Sequence, residues 1–202
     1  YGRDVNGLRD AEPRTSRWVG GETLQVRWSH TVLKVRDLEA MVAFYVDALG
    51  FRISDRGTVG PDAELVFLSG SSSDHHQFGL IAGRGSEETT SLDHNAFRVE
   101  SLDDVKAMVE WANADERVAG TLPVTHGNAI SVYFSDPEGN GIEVFCDSPW
   151  HVRQPQIRAW DPSLSNDEIL AAVEADFGGE PGFMPMEQYR AQEAERFGEN
   201  EA

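Results

Sequence analysis

The sequence predicts an α+β fold in which two strand–helix–three-strand modules, at about residues 26–83 and 91–147, form one cupped mixed sheet. Two observations support this prediction. Segments of period-2 alternation, which is typical of half-buried strands, are separated by segments with helical periodicity. The chain also contains an internal repeat, because residues 94–103 match residues 30–39 class by class. Each copy of such a repeat supplies part of one continuous core.

In the first module, alternation over residues 30–35 predicts a strand. Asp37 is a suitable N-cap for the helix that follows, and Gly50 suits its C-terminal end. The apolar stripe of this predicted helix consists of Leu38, Met41, Val42, Tyr45 and Leu49. Short strands are predicted near residues 51–54, 63–69 and 75–82.

The second module repeats this order from His94 onwards. Ser101 and Asp104 predict a capping box at the start of its helix. The run from Asp136 to Asn140 is typical of a tight turn, since it combines Asp, Pro, Gly and Asn. Beyond this turn, Glu143 is a carboxylate on an otherwise apolar strand. Further strands are predicted near residues 121–126, 128–135 and 141–146.

The segments outside the two modules have a different composition. Residues 1–25 are polar and lack sustained periodicity, which predicts an extended N-terminal arm. Prolines bound a loop after residue 147, and Ser165 with Glu168 marks the start of a later helix. A last amphipathic helix is predicted at about residues 185–197. We therefore predict a C-terminal extension, residues 148–202, that packs on the main body or on a second subunit.

Composition excludes several classes of function. The 17 Lys and Arg residues against 35 Asp and Glu give a net charge of −18, which repels nucleic acid and anionic membranes. No apolar run approaches the roughly 18 residues of a membrane span, and the N-terminus does not resemble a signal peptide. Cys146 is the single cysteine, so we expect no internal disulfide, no cysteine-only metal site and a cytoplasmic location.

The histidines indicate a metal site. Five of the six lie within the repeated region, and His30 and His94 hold equivalent positions in the two copies. If the two halves pair about a pseudo-twofold axis, both imidazoles face one cavity, which Glu143 can join. Two imidazoles and one carboxylate leave three adjacent coordination positions open, as at non-haem Fe(II) sites. The alternative is that these are ordinary hydrogen-bonded histidines and a solvated glutamate.

The paired repeat, with His30, His94 and the run Asp136-Pro137-x-Gly139-Asn140-x-x-Glu143, resembles the vicinal oxygen chelate superfamily. This superfamily includes glyoxalase I, fosfomycin-resistance enzymes, bleomycin-binding proteins and type I extradiol dioxygenases. The resemblance covers about residues 26–147. It implies that each βαβββ module forms half of a cupped sheet around a metal ion, with His30, His94 and Glu143 as its ligands.

Further residues resemble the extradiol branch of this superfamily. His75 and His76 match its paired histidines, of which His76 is expected to face the pocket and His75 to face outward. His126 and Tyr133 match positions that contact substrate. The resemblance therefore implies an Fe(II)-dependent dioxygenase that opens the ring of a catechol-type substrate with O₂. His76 is the expected acid–base residue, and His126 and Tyr133 are expected to hydrogen-bond the substrate oxygens.

Two other functions stay open at this point. One is a glyoxalase-like or other isomerase or lyase that uses Zn²⁺, Ni²⁺ or Mn²⁺, and the other is a non-catalytic binder of small molecules. The chain also departs from most extradiol dioxygenases, which duplicate the whole domain. The expected partners are a small aromatic diol and O₂, with no nucleic acid and no membrane, and we expect a homo-oligomer, either a dimer or a larger assembly.

Overall fold

The structure is a computed structural model that describes residues 27–197. The predicted N-terminal arm therefore lies outside the described residues. The first module contains β1 (Thr31–Val35), α1 (Leu38–Leu49), β2 (Arg52–Val59), β3 (Ala63–Ser69) and β4 (Phe78–Ala82). The second module contains β5 (His94–Arg98), α2 (Leu102–Ala114), β6 (Ala119–Thr125), β7 (Ala129–Ser135) and β8 (Gly141–Asp147). The C-terminal extension contains β9 (Trp150–His151), β10 (Arg158–Ala159), α3 (Asn166–Phe177), β11 (Met184–Pro185) and α4 (Met186–Phe197).

Each module forms a mixed sheet with the same internal order. The first sheet has the order β1-β4-β3-β2, and the second has the order β10-β6-β7-β8-β5. In both, the first strand of the module pairs in parallel with the last strand, and the other pairs are antiparallel. The predicted α+β class and its two βαβββ modules are confirmed. In the part of the chain that the structure describes, no strand of one sheet pairs with a strand of the other, so the predicted single sheet is two sheets of four and five strands.

The helix boundaries follow their capping residues. The Asp37 side chain accepts a hydrogen bond from the Ala40 N–H, and Gly50 ends α1 with a φ of 66°. Capping boxes start α2 at Ser101 and α3 at Ser165. No helix within residues 27–197 combines the length and the apolar character needed to cross a membrane.

The strands differ from the predictions in three places. β2 extends to Val59, well beyond the predicted residue 54. β4 begins at Phe78 rather than at residue 75, because the preceding loop folds over the Ser69 hydroxyl, which donates to the carbonyl groups of Ser71 and Asp74. His75 and His76 therefore precede the strand. The short strands β9, β10 and β11 were not predicted, since two residues carry no periodicity.

One hydrophobic core spans both modules and the extension. Phe51 of the first module packs edge-on against Phe97 of the second, with 5.8 Å between their ring centroids. Up to residue 197, the C-terminal extension contributes five buried side chains to the same core: Val152, Trp160, Ile169, Val173 and Phe177. The extension therefore packs on the main body, which was one of the two predicted alternatives. Helix α4 contributes no buried residue to this core.

The turn between β7 and β8 joins the two modules. The buried Asp136 carboxylate accepts a hydrogen bond from the Tyr45 hydroxyl of α1, at 2.9 Å. The Glu138 carboxylate accepts hydrogen bonds from the backbone N–H groups of Arg36 and Asp37, at 2.6 and 2.9 Å. These donors lie at the start of α1, where N–H groups have no partner within the helix. The turn thus positions the first module against the strand that carries Glu143.

Candidate metal centre

The Glu143 carboxylate lies on a polar face of the second sheet. Residues paired across neighbouring strands share a face, and Glu143 pairs with Ala96 of β5 and Tyr133 of β7. Glu143 is only 7% exposed. The hydroxyl of the fully buried Ser131 donates to its Oε1 at 2.7 Å, and the Nε2 atom of His94 lies 3.2 Å from its Oε2. The sheet register therefore brings together two of the three predicted ligands.

His94 has a carboxylate oxygen beside each ring nitrogen. Its Nδ1 atom lies 2.6 Å from Asp93 Oδ1, and its Nε2 atom faces Glu143. An ionised carboxylate can only accept hydrogen bonds, so a neutral imidazole satisfies only one of these contacts. In the tautomer that donates from Nδ1 to Asp93, the Nε2 lone pair is directed at the space beside Glu143, where a cation would satisfy both groups. A carboxylate that accepts from the other ring nitrogen is also the usual neighbour of a metal-binding histidine.

His126 and Tyr133 lie beside the same carboxylate. The His126 Nδ1 atom is 2.6 Å from the carbonyl oxygen of Gln156, so Nδ1 carries the proton and Nε2 is the acceptor in the neutral ring. This Nε2 atom is 3.1 Å from the Tyr133 hydroxyl and 3.7 Å from Glu143 Oε1. Burial, followed by a hydrogen bond to Glu143 and its negative charge, raises the pKa of Tyr133. The Tyr133 hydroxyl is therefore protonated at neutral pH.

His30 and His76 form a second group, at the start of β1 and β4. Their ring centroids are 4.4 Å apart, and the His76 ring also packs on Phe67 at 4.4 Å. A hydrogen bond of 2.9 Å joins the Nδ1 atoms of His75 and His76, and the His75 side chain is 60% exposed. His76 is partly buried. Burial, and then the charges of His30 and His75, lower the pKa of His76.

The two groups do not form one ligand set. Within residues 27–197, no three His, Cys, Asp or Glu side chains are arranged so that they could hold a metal ion. His94 and Glu143 fit a metal ion as a pair, whereas the contact shown for the His30 ring is with His76. Ser29 and Thr31, the neighbours of His30 in the chain, line the same cavity of about 720 Å³ as His94. The three-ligand set of His30, His94 and Glu143 therefore stays a prediction.

Sequence reasoning missed three residues that support this site. Asp93 directly precedes His94, so a carboxylate next to a candidate ligand was a usable signal. Ser131 lies two residues before Tyr133, so alternation places both on one face of β7, but its hydrogen bond to Glu143 depends on the pairing of β7 with β8. Gln156 contacts His126 through its backbone carbonyl, which leaves no trace in the sequence.

The chain belongs to the Glyoxalase/Bleomycin resistance protein/Dioxygenase superfamily, whose family model matches residues 27–144. It is 31% identical over 132 residues to biphenyl-2,3-diol 1,2-dioxygenase 3 of Rhodococcus globerulus. This alignment covers 62% of this chain and 66% of the relative. It is 27% identical over 194 residues to an iron-dependent extradiol dioxygenase of Rhodococcus jostii, covering 90% of this chain and 61% of the relative. The chain thus spans less than two thirds of the length of either relative.

One solved structure that the chain matches is that of the fosfomycin resistance protein FosX of Listeria monocytogenes, in complex with Mn(II) and sulfate. The match has a TM-score of 0.47 and 18% sequence identity, and it covers 62% of this chain and 95% of that structure.

Proposed function

We propose that this protein is an Fe(II)-dependent extradiol dioxygenase that opens the ring of a catechol-type substrate with O₂. His30, His94 and Glu143 are the proposed metal ligands. The observation that carries the proposal is the His94 ring, whose Nε2 atom faces the buried Glu143 carboxylate while Asp93 accepts from Nδ1. Dioxygenase relatives, one of them named as iron-dependent, give further support.

When bound, Fe(II) supplies a centre that holds a diol and O₂ next to each other. The chain's own residues orient the diol and move its protons. Tyr133 keeps its hydroxyl proton at neutral pH, as any tyrosine with an ordinary or raised pKa does, so it can donate to a substrate oxygen. His126 presents Nε2 as an acceptor, because Gln156 fixes the proton on Nδ1. His126 is therefore placed to take a proton from the diol.

His76 is the proposed acid–base residue on the O₂ side. Its lowered pKa keeps the imidazole neutral at pH 7, and a neutral imidazole can accept a proton there. His30 packs on this ring in the structure. The proposed ligand set also needs the His30 imidazole beside His94, and Ser29 and Thr31, the neighbours of His30 in the chain, line one cavity with His94.

Oxygen uptake by the anaerobically Fe(II)-loaded protein, measured with a panel of catechols, tests the proposal. We expect uptake together with a coloured ring-opened product. His76→Ala should keep its iron but lose turnover by about 10²–10⁴-fold, the usual contribution of an acid–base group. His151→Ala is the control, because His151 lies on β9, where its ring packs on Tyr189, and the variant should retain turnover.

Three outcomes would contradict the proposal or part of it. Loss of iron in His76→Ala would make this residue a ligand instead. An iron-loaded protein that consumes no O₂ with any catechol would favour an isomerase or lyase that uses Mn²⁺, Zn²⁺ or Ni²⁺, or a non-catalytic binder. A monomer in sedimentation measurements would contradict the homo-oligomer that we propose.

A further inference from the structure

We propose that Arg98 and Arg190 form a subsite for an anionic group, so that the substrate is an aromatic diol with an acidic side chain. The inference rests on the proposed function only for the diol end of the substrate. The anionic end is argued from the contacts of these two arginines, which lie on β5 and on α4.

Arg98 lies on the same sheet face as the candidate metal centre. In the parallel pair of β5 and β8, Ala96 is opposite Glu143 and Arg98 is opposite Phe145. The Arg98 guanidinium carbon is 5.0 Å from the centroid of the Phe145 ring. A strand rises about 3.3 Å per residue, so Phe145 lies about 7 Å beyond Glu143 along β8. A diol held at Glu143 would therefore extend over Phe145 towards Arg98.

The charges at this position do not balance. Arg98 and Arg190 both donate to the same oxygen, Oδ2 of Asp147. Two cations on one carboxylate leave one positive charge in excess, although the chain as a whole carries −18. Within residues 27–197, only one N–H group of each guanidinium takes part in a hydrogen bond. The two side chains are 57% and 58% exposed, so the remaining N–H groups are accessible to a ligand.

A purely structural role explains only part of this arrangement. One arginine is sufficient to tie α4 to Asp147 at the end of β8, and Arg190 does so. Arg98 lies over the Phe145 ring on the proposed substrate path, and this position is not needed to attach α4 to Asp147. A guanidinium binds a carboxylate or similar anion through two parallel N–H groups. The spacing from Glu143 fits an acidic group on a side chain of about three to five atoms.

Binding to the metal-free protein tests the subsite without turnover. The probe is 4-phenylbutanoate, and its neutral match is 4-phenylbutanamide, which has the same size. We expect the acid to bind about tenfold more tightly than the amide, which corresponds to about 1.4 kcal/mol of binding free energy. Arg98→Gln and Arg190→Gln should remove this preference. Arg196→Gln is the matched control on α4, because Arg196 pairs with Glu193 and not with Asp147.

Asp147→Asn should strengthen binding of the acid, because it removes the anion that competes for both arginines. A misfolded variant cannot produce such a gain. Equal binding of acid and amide by the wild type, or no gain in Asp147→Asn, would overturn the subsite. These results are independent of the proposed reaction. Cleavage of neutral catechols without any preference for acids would reject the subsite alone, whereas acid binding without oxygen uptake would reject only the dioxygenase.

Discussion

His94 is the residue on which the proposed chemistry depends most. Its Nδ1 atom faces Asp93 and its Nε2 atom faces Glu143, so both ring nitrogens are directed by carboxylates. Asp93 fixes the tautomer that leaves the Nε2 lone pair free for a cation. Ser131 holds the Glu143 carboxylate from the other side. The ligand pair is therefore oriented before any ion binds.

We predict that Asp93→Asn lowers the affinity for Fe(II) or Mn²⁺ by about 10-fold, because the neutral amide oxygen of Asn accepts from His94 Nδ1 more weakly than the carboxylate does. Titration calorimetry on the anaerobic protein measures this change. Asp62→Asn is the control, since Asp62 lies in the exposed turn between β2 and β3. Equal affinities in the Asp93 variant and the wild type would show that Asp93 does not orient the ligand.

Tyr45 predicts how stability changes at alkaline pH. Burial, followed by the charge of Asp136 and the hydrogen bond to it, raises the pKa of Tyr45 well above its ordinary value. An unfolded chain loses this proton near pH 10, while the folded protein keeps it. The free energy of unfolding should therefore fall as the pH rises past about 10.

Tyr45→Phe has no such proton, so its free energy of unfolding should fall less between pH 8 and pH 10.5. At pH 8 the variant should be about 2 kcal/mol less stable, because the buried Asp136 loses one hydrogen bond. Urea unfolding at the two pH values measures both effects. A pH dependence as steep as in the wild type would contradict the role given to Tyr45.

At the residue scale, the sequence predicted His94, His126, Tyr133 and Glu143 for one site, and the structure brings these four together. The repeat and the strand pattern indicated His94 and Glu143, whereas His126 and Tyr133 came from the resemblance to the extradiol branch. The contact between His30 and His76 was not predicted. It depends on the loop before β4, whose path is set by hydrogen bonds to Ser69.

At the scale of elements, the helices were predicted more accurately than the strands. The start of α1, α2 and α3 is set by local capping residues, which can be read directly from the chain. The ends of strands depend on partners that are distant in the sequence. The pair of β10 with β6, for example, joins Arg158 to Thr125 and could not be inferred from either segment alone.

Gly141 links the strand geometry to the metal centre. A Cβ atom at this position would lie 2.2 Å from the carbonyl oxygen of Asp93, closer than atoms can approach. Gly141→Ala should therefore push the start of β5 away from β8 and move His94 from Glu143. We predict a loss of about 1–3 kcal/mol in the free energy of unfolding, together with weaker metal binding. Urea unfolding and titration calorimetry measure the two effects.

Gly57→Ala is the control for this prediction. Gly57 lies on the exposed edge strand β2, and no heavy atom comes within 4 Å of its added Cβ. The variant should keep wild-type stability and metal affinity. A Gly141→Ala protein that behaves like Gly57→Ala would show that the close approach of β5 and β8 is not required.

At the scale of the whole molecule, the repeat predicted the two modules but not how they join. The turn from Asp136 to Asn140 was expected to be simple turn chemistry, yet Asp136 and Glu138 also bind the first module at Tyr45 and at the start of α1. These partners are about a hundred positions away in the chain. A periodic pattern contains no information on such contacts.

Truncation tests the role of the C-terminal extension. A chain that ends at residue 185 lacks α4, which contributes no buried side chain, so its free energy of unfolding should stay within about 1 kcal/mol of the wild type. A chain that ends at residue 147 also loses Val152, Trp160, Val173 and Phe177 from the core. We expect this shorter chain not to unfold cooperatively in urea. Wild-type unfolding of the shorter chain would contradict the single shared core.

Metal titration of alanine variants tests the central claim most directly. The wild type should bind one Fe(II) or Mn²⁺ ion per chain under anaerobic conditions, and His30→Ala, His94→Ala and Glu143→Ala should each abolish this binding. His75→Ala should bind the ion as the wild type does, because its side chain is mainly exposed. Wild-type affinity in His30→Ala would contradict the account, since it would show that the ion is held without the first module.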